Sequence, residues 1–110
     1  MTYTPDNWVV IKLSGDDPHY RILAGWSGGY TTSDTWRMNS GITRVDETED
    51  AFLFYGASGS CYDCRKTAYC LRKNNAYVWS QLQELHGDKV ELMPEHTDWL
   101  NMDWIINGTK

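Results

Sequence analysis

Trp8-Val9-Val10-Ile11-Lys12-Leu13 and His19-Tyr20-Arg21-Ile22-Leu23-Ala24-Gly25-Trp26 decide how this chain folds. In the second run Tyr20, Ile22, Ala24 and Trp26 alternate to one side, and His19, Arg21 and Leu23 to the other. The first run alternates too, with Val9, Ile11 and Leu13 on one face. A period of two is the mark of a strand. Between the runs lies Ser14-Gly15-Asp16-Asp17-Pro18, a turn by composition. The two strands are therefore expected to form an antiparallel hairpin.

Downstream, Trp36, Met38 and Ile42 share one face of a further strand, with Arg37, Asn39 and Thr43 opposite. Asp46 to Asp50 is an acidic turn, and Ala51 to Tyr55 is a continuous apolar run suited to a central strand. Ser60 to Lys66 reads as another strand. The period then changes. Val78, Leu82 and Leu85 recur at helical spacing between Asn75 and His86, with Trp79 beside them. Asn74 or Asn75 suits the N-cap, and Gly87 the position after the last turn. Lys89 to Met93 reads as a strand stopped by Pro94, and Thr97 is expected to cap one helical turn. Trp104-Ile105-Ile106 is expected to add an edge strand. The sum is an α+β single domain over residues 1–110. It is expected to be a twisted antiparallel β-sheet of about five or six strands, with one principal α-helix packed on one face.

The chain has 110 residues, enough for one self-sufficient core. Six Trp and seven Tyr exceed what that core needs, so some aromatic residues are expected at a recognition surface. A net charge of −5 argues against binding along duplex nucleic acid, which needs a basic stripe. No apolar run is long enough to span a membrane, and no signal peptide is evident. Three Cys is an odd count, which disfavours a disulfide framework. The expectation is a cytoplasmic protein.

The candidate chemistry is sparse. Cys61-x2-Cys64 with Cys70 and His86 invites a zinc reading, but the usual second ligand pair is absent. In a strand, Cys61 and Cys64 would also point to opposite faces. Free thiols are the better reading, with no metal. His19, His86 and His96 are scattered, and no nucleophile motif, phosphate loop or H-E-x-x-H accompanies them. No cofactor fingerprint is present, and the balance falls against an enzyme. Two turns rich in Gly and Ser stand out instead. Gly25 to Tyr30 precedes Arg37, Asn39 and Ser40; Ser58-Gly59-Ser60 precedes Tyr62, Arg65 and Lys66. Such turns expose backbone N–H groups, and cations and tyrosines beside them suit a flat anionic ligand. The expected ligand-binding set is Tyr30, Arg37, Asn39, Ser40, Ser58, Ser60, Tyr62, Arg65 and Lys66, provided the turns meet at one end of the sheet. Tyr30 or Tyr62 would stack on a base, and Arg37, Arg65 and Lys66 would neutralise phosphate.

The segments Gly25 to Tyr30, Trp36 to Ile42 and Ser58 to Lys66 together resemble small, mostly uncharacterised accessory proteins of tailed bacteriophages. The resemblance carries no catalytic residues. It implies a phage protein acting in the host bacterial cytoplasm, and small phage proteins without enzyme motifs often counter host defences. Three functions follow as expectations. The first is a non-catalytic protein that counters a bacterial immune system by sequestering a nucleotide-derived signal. The second is an inhibitor that binds a host defence protein directly, and the third a small nucleotide-processing enzyme using His19 or His96. Spare aromatic residues and an exposed edge at Trp104 to Ile106 also suggest a homodimer or larger assembly.

Overall fold

The computed structural model describes residues 1–15, 17–28 and 34–104. The strands are β1 (Thr2–Tyr3), β2 (Asn7–Leu13), β3 (His19–Trp26), β4 (Thr35–Met38), β5 (Ile42–Glu47), β6 (Ala51–Gly56) and β7 (Cys61–Arg65). Helix α1 (Lys73–His86) follows, then a 3-10 turn at Gly87–Lys89, strand β8 (Val90–Leu92) and a second 3-10 turn at Trp99–Asn101. The predicted hairpin is present, with Asn7 opposite Gly25 and Leu13 opposite His19.

The α+β class and the principal helix hold, but the single sheet does not. The described strands form two sheets of four, in the orders β4-β3-β2-β8 and β1-β7-β6-β5. The second sheet is not wholly antiparallel either, because β1 pairs with β7 in parallel. The reason lies in β2 and β3, which are apolar on both faces. Trp8, Val10, Tyr20, Ile22 and Ala24 pack against Ile42, Phe54, Tyr62 and Cys64 of the other sheet. Val9, Ile11 and Leu23, on the opposite face, pack against Val78 of α1. A strand with two apolar faces needs a layer on each side. The result is sheet, sheet and helix, with β2 and β3 in the middle. Burying each large side chain there contributes about 1.5–3 kcal/mol.

The chain crosses between sheets at Asn39-Ser40-Gly41, where a single strand from Trp36 to Ile42 was expected. Gly41 has φ +141°, a conformation that a side chain strains. Asn39 accepts the Ile22 N–H on Oδ1 at 3.0 Å and thereby anchors the corner to β3.

A buried amide cluster docks the helix. Asn74 Nδ2 donates to Asn7 Oδ1 at 2.7 Å, and Asn7 Nδ2 lies 3.1 Å from both Asn74 Oδ1 and Asn75 Oδ1. Asn75 Oδ1 also accepts the Arg72 N–H at 2.8 Å, so Asn75 serves the first turn from inside the helix. Gly87 ends it with φ +59°, its N–H donating to the Gln83 carbonyl. Trp104 is not on an exposed edge. It is buried, stacked on Trp99 with 6.3 Å between ring centres, and belongs to no strand. Ile105 and Ile106 lie outside the described residues. Among the described residues no helix is long and apolar enough to cross a membrane.

Candidate functional site

The structure brings part of the expected set together. At the crossing corner Ser58 N–H donates to Ser40 Oγ at 3.2 Å, and Ala57 N–H donates to the Gly41 carbonyl at 2.9 Å. The Ser58 and Ser60 hydroxyls are 3.2 Å apart. Asn39 sits just behind, with its Nδ2 buried and unpartnered among the described residues. The second Gly/Ser turn thus meets the Asn39-Ser40-Gly41 corner.

The cations do not converge there. In β7 Cys61 pairs with Tyr55 at the Gly/Ser turn, whereas Arg65 pairs with Ala51 at the opposite end. Arg65 and Lys66 therefore lie a strand's length away from Ser58 and Ser60. Lys66 Nζ is paired with Glu47 Oε2 at 2.5 Å, and Arg65 is exposed. The Arg37 guanidinium lies 4.6 Å from the centre of the Tyr3 ring. Tyr62 is in the core beside Tyr3, and burial pushes its phenol pKa upward. Core packing thus occupies the ring expected to stack on a base. Tyr30 lies outside the described residues. The other Gly/Ser turn has lost two of its donors to carboxylates: Ser27 N–H donates to Asp6 Oδ2, and Gly28 N–H to Asp34 Oδ1.

A cleft of about 370 Å³, here called the seam cleft, opens beside the corner that joins the two sheets. Ser40, Gly41 and Ala57 form one wall, His19 and Arg21 of β3 the other, and Trp104 also lines it. Asp17, in the β2–β3 turn, stands at its edge. His19 is fixed by both ring nitrogens. Its Nδ1 is 2.6 Å from the Asp17 carbonyl oxygen, which can only accept, so Nδ1 carries the proton. Its Nε2 accepts from Arg21 Nε at 2.8 Å. This bond holds the guanidinium by one edge and leaves its terminal nitrogens for another partner. Among the described residues the ion pairs are Arg44–Asp46 and Lys66–Glu47, so Arg21 is in no ion pair with a described carboxylate. His19 serves here as an orienting group; as a general base it would have to release Arg21.

A second cleft of about 290 Å³ lies across the β2–β3 turn. It shares Asp17 and His19 with the first and adds Ser14, Gly15, His86 and Lys89. The thiols lie elsewhere. Cys64 is buried, and burial raises its pKa well above the ordinary thiol value. Cys61 is half-buried on the other face of β7. No group of three His, Cys, Asp or Glu among the described residues is placed to hold a metal ion.

Sequence reasoning missed Arg21. The signal was present in the alternation, which sets His19 and Arg21 side by side on one strand face. Only the fold shows that this pair borders the Ser40 corner. Set against protein-family models, curated proteins and solved structures, the chain matches none.

Proposed function

We propose that this chain is a non-catalytic binding module that captures a small phosphate-bearing ligand in the seam cleft. In an infected bacterium it would sequester a nucleotide-derived immune signal, the setting suggested by its likeness to accessory proteins of tailed phages. The observation that carries the reading is Arg21, oriented by His19 and in no ion pair with a described carboxylate, on a cleft about 370 Å³ in volume. That volume falls within the range of small-molecule sites. A guanidinium held through Nε can still offer two terminal N–H groups to a phosphate, and such charge-assisted bonds contribute about 1.5–3 kcal/mol. The Ser40 hydroxyl lies on the facing wall. The cleft is built from one chain, so the reading does not depend on the expected homodimer.

Calorimetry with a panel of linear and cyclic nucleotides tests this. Arg21→Ala should weaken binding at least tenfold and leave the fold intact. The ligand recovered after denaturing the complex should be unaltered; a changed product would make the protein an enzyme. Absence of heat with every nucleotide would remove the sequestration reading. The inhibitor of a host protein would then take its place, favoured by Trp36, which is 41% exposed on the edge strand β4.

A further inference from the structure

His19 uses its two ring nitrogens in opposite ways. Nδ1 donates to the Asp17 carbonyl at 2.6 Å, so Nε2 is the one position left for a further proton. That position is taken, because Nε2 accepts the Arg21 Nε–H at 2.8 Å. One lone pair cannot hold a proton and accept a hydrogen bond at the same time. Protonation of His19 and its bond to Arg21 are therefore mutually exclusive. The exchange takes place in the seam cleft, since both side chains line it and both are half-buried. The Cδ2 corner of the ring, next to Nε2, lies on the Gly41 side, 3.6 Å from where a Cβ on Gly41 would stand.

We propose that the His19–Arg21 pair is a proton-linked anion site, in which the imidazole becomes a second ligand to the anion. One proton from solvent adds to Nε2 as the anion enters. The Arg21 Nε–H leaves that nitrogen, and oxygens of the anion accept from Arg21 and from His19 Nε2–H. This deepens the proposed function and rests on its reading of the seam cleft as an anion site. Charge gives the link its direction. An imidazolium alone beside the guanidinium would repel it, whereas a doubly charged anion between the two attracts both. Anion binding and proton uptake then favour each other, as linkage requires. The other charged or titratable groups on the two clefts that His19 borders are Asp17 in the β2–β3 turn, His86 of α1 and Lys89. Among these His86 is the other imidazole, so it is the control; Asp16 lies outside the described residues.

Nuclear magnetic resonance titration with sodium sulfate at constant ionic strength tests the inference. Sulfate stays doubly charged between about pH 6 and 8, the range in which an imidazole changes charge, so a proton taken up belongs to the protein. Without sulfate at the upper end, His19 should show the Nδ1–H tautomer. Bound sulfate should shift the Arg21 Nε–H and move the His19 ring toward its doubly protonated form. Wild-type affinity should be at least about fivefold higher at pH 6 than at pH 8. His19→Gln, whose amide gains no proton, should bring the two affinities within about twofold of each other, and His86→Gln should keep the wild-type difference. Arg21→Ala should weaken sulfate binding at both pH values. Equal wild-type affinities, a His19 ring that stays neutral with sulfate bound, or a pH dependence that survives His19→Gln would overturn the proton link and leave the seam-cleft reading standing. If sulfate shifts no resonance along the cleft at either pH, both readings fall.

Discussion

At Gly25 the limiting factor is space. A Cβ there would lie 2.0 Å from Asn74 Oδ1. No relaxation of Asn74 is free of cost, because its amide is paired with Asn7 inside the protein. Gly25→Ala should therefore break the Asn7–Asn74 pair or lift the start of α1 from β3. The expected loss is about 2–4 kcal/mol, the scale of a disrupted buried polar network. Urea denaturation measures it, and an unchanged midpoint would show that the cluster does not anchor the helix. The glycine was visible in the sequence as part of a Gly/Ser stretch, and its reason was not. Asn74 reaches Gly25 only after α1 folds back over the middle sheet. Arg21 teaches the same lesson in reverse. Its strand and face were readable, but the corner that gives it a facing wall comes from Ser40, Gly41 and Ala57.

Between single residues and the whole lie the elements and the segments that join them. The predicted β2–β3 hairpin, the apolar strand β6 and helix α1 are all found, because each carries a local signal: alternation in the hairpin, a short continuous apolar run in β6 and helical spacing in α1. The break between β4 and β5 was hidden, since Trp36, Met38 and Ile42 keep the alternation of an uninterrupted strand through a sheet-to-sheet corner. The segment leading into α1 was also opaque, having no period of its own. It is fixed by Tyr69, whose hydroxyl donates to the Met93 carbonyl and lies 3.3 Å from the Val10 N–H. Trp8 and Tyr69 form an isolated parallel bridge, tying the same segment to β2. Burial is the main cause that raises the Tyr69 pKa from 10.0 to about 12. The fold therefore prefers the neutral phenol. This contribution to stability is complete below about pH 10 and is lost as pH rises through about 12. Denaturant midpoints across that range should fall, and Tyr69→Phe should flatten part of the fall. At neutral pH the same variant should cost about 1–3 kcal/mol, because the hydroxyl's buried backbone partners lose it. An alkaline profile identical to wild type would mean that Tyr69 ionises without opening the segment.

For the molecule as a whole, the problem is to close a sandwich whose sheets are joined at the Asn39–Gly41 corner. The segment after β8 meets it with two indoles. Trp99 packs at 6.0 Å from Trp8 of the middle sheet and 5.8 Å from Phe54 of the outer one. Trp104 sits edge-on to Tyr20 at 5.1 Å and to Phe54 at 6.2 Å, so it too touches both sheets. Composition supplied the tryptophans and the sequence suggested a helical turn through Trp99, but Trp104 reads with Ile105 and Ile106 as an edge strand, and only the fold shows its indole as part of an aromatic plug. That plug also borders the seam cleft through Trp104. Stability and cleft shape are thus tied to one side chain. Trp104→Ala should cost about 3–5 kcal/mol, the usual range for emptying a buried Trp site, because the sheets on either side are too constrained to collapse inward. Trp104→Phe should recover part of that loss by keeping an aromatic edge against Tyr20. Urea denaturation of the two variants decides the matter. If Trp104→Ala stays within about 0.5 kcal/mol of wild type, as surface substitutions do, the indole is not a structural part of the seam. If Trp104→Ala is strongly destabilised and Trp104→Phe is intermediate, the wall of the cleft and the closure of the sandwich are the same piece of structure.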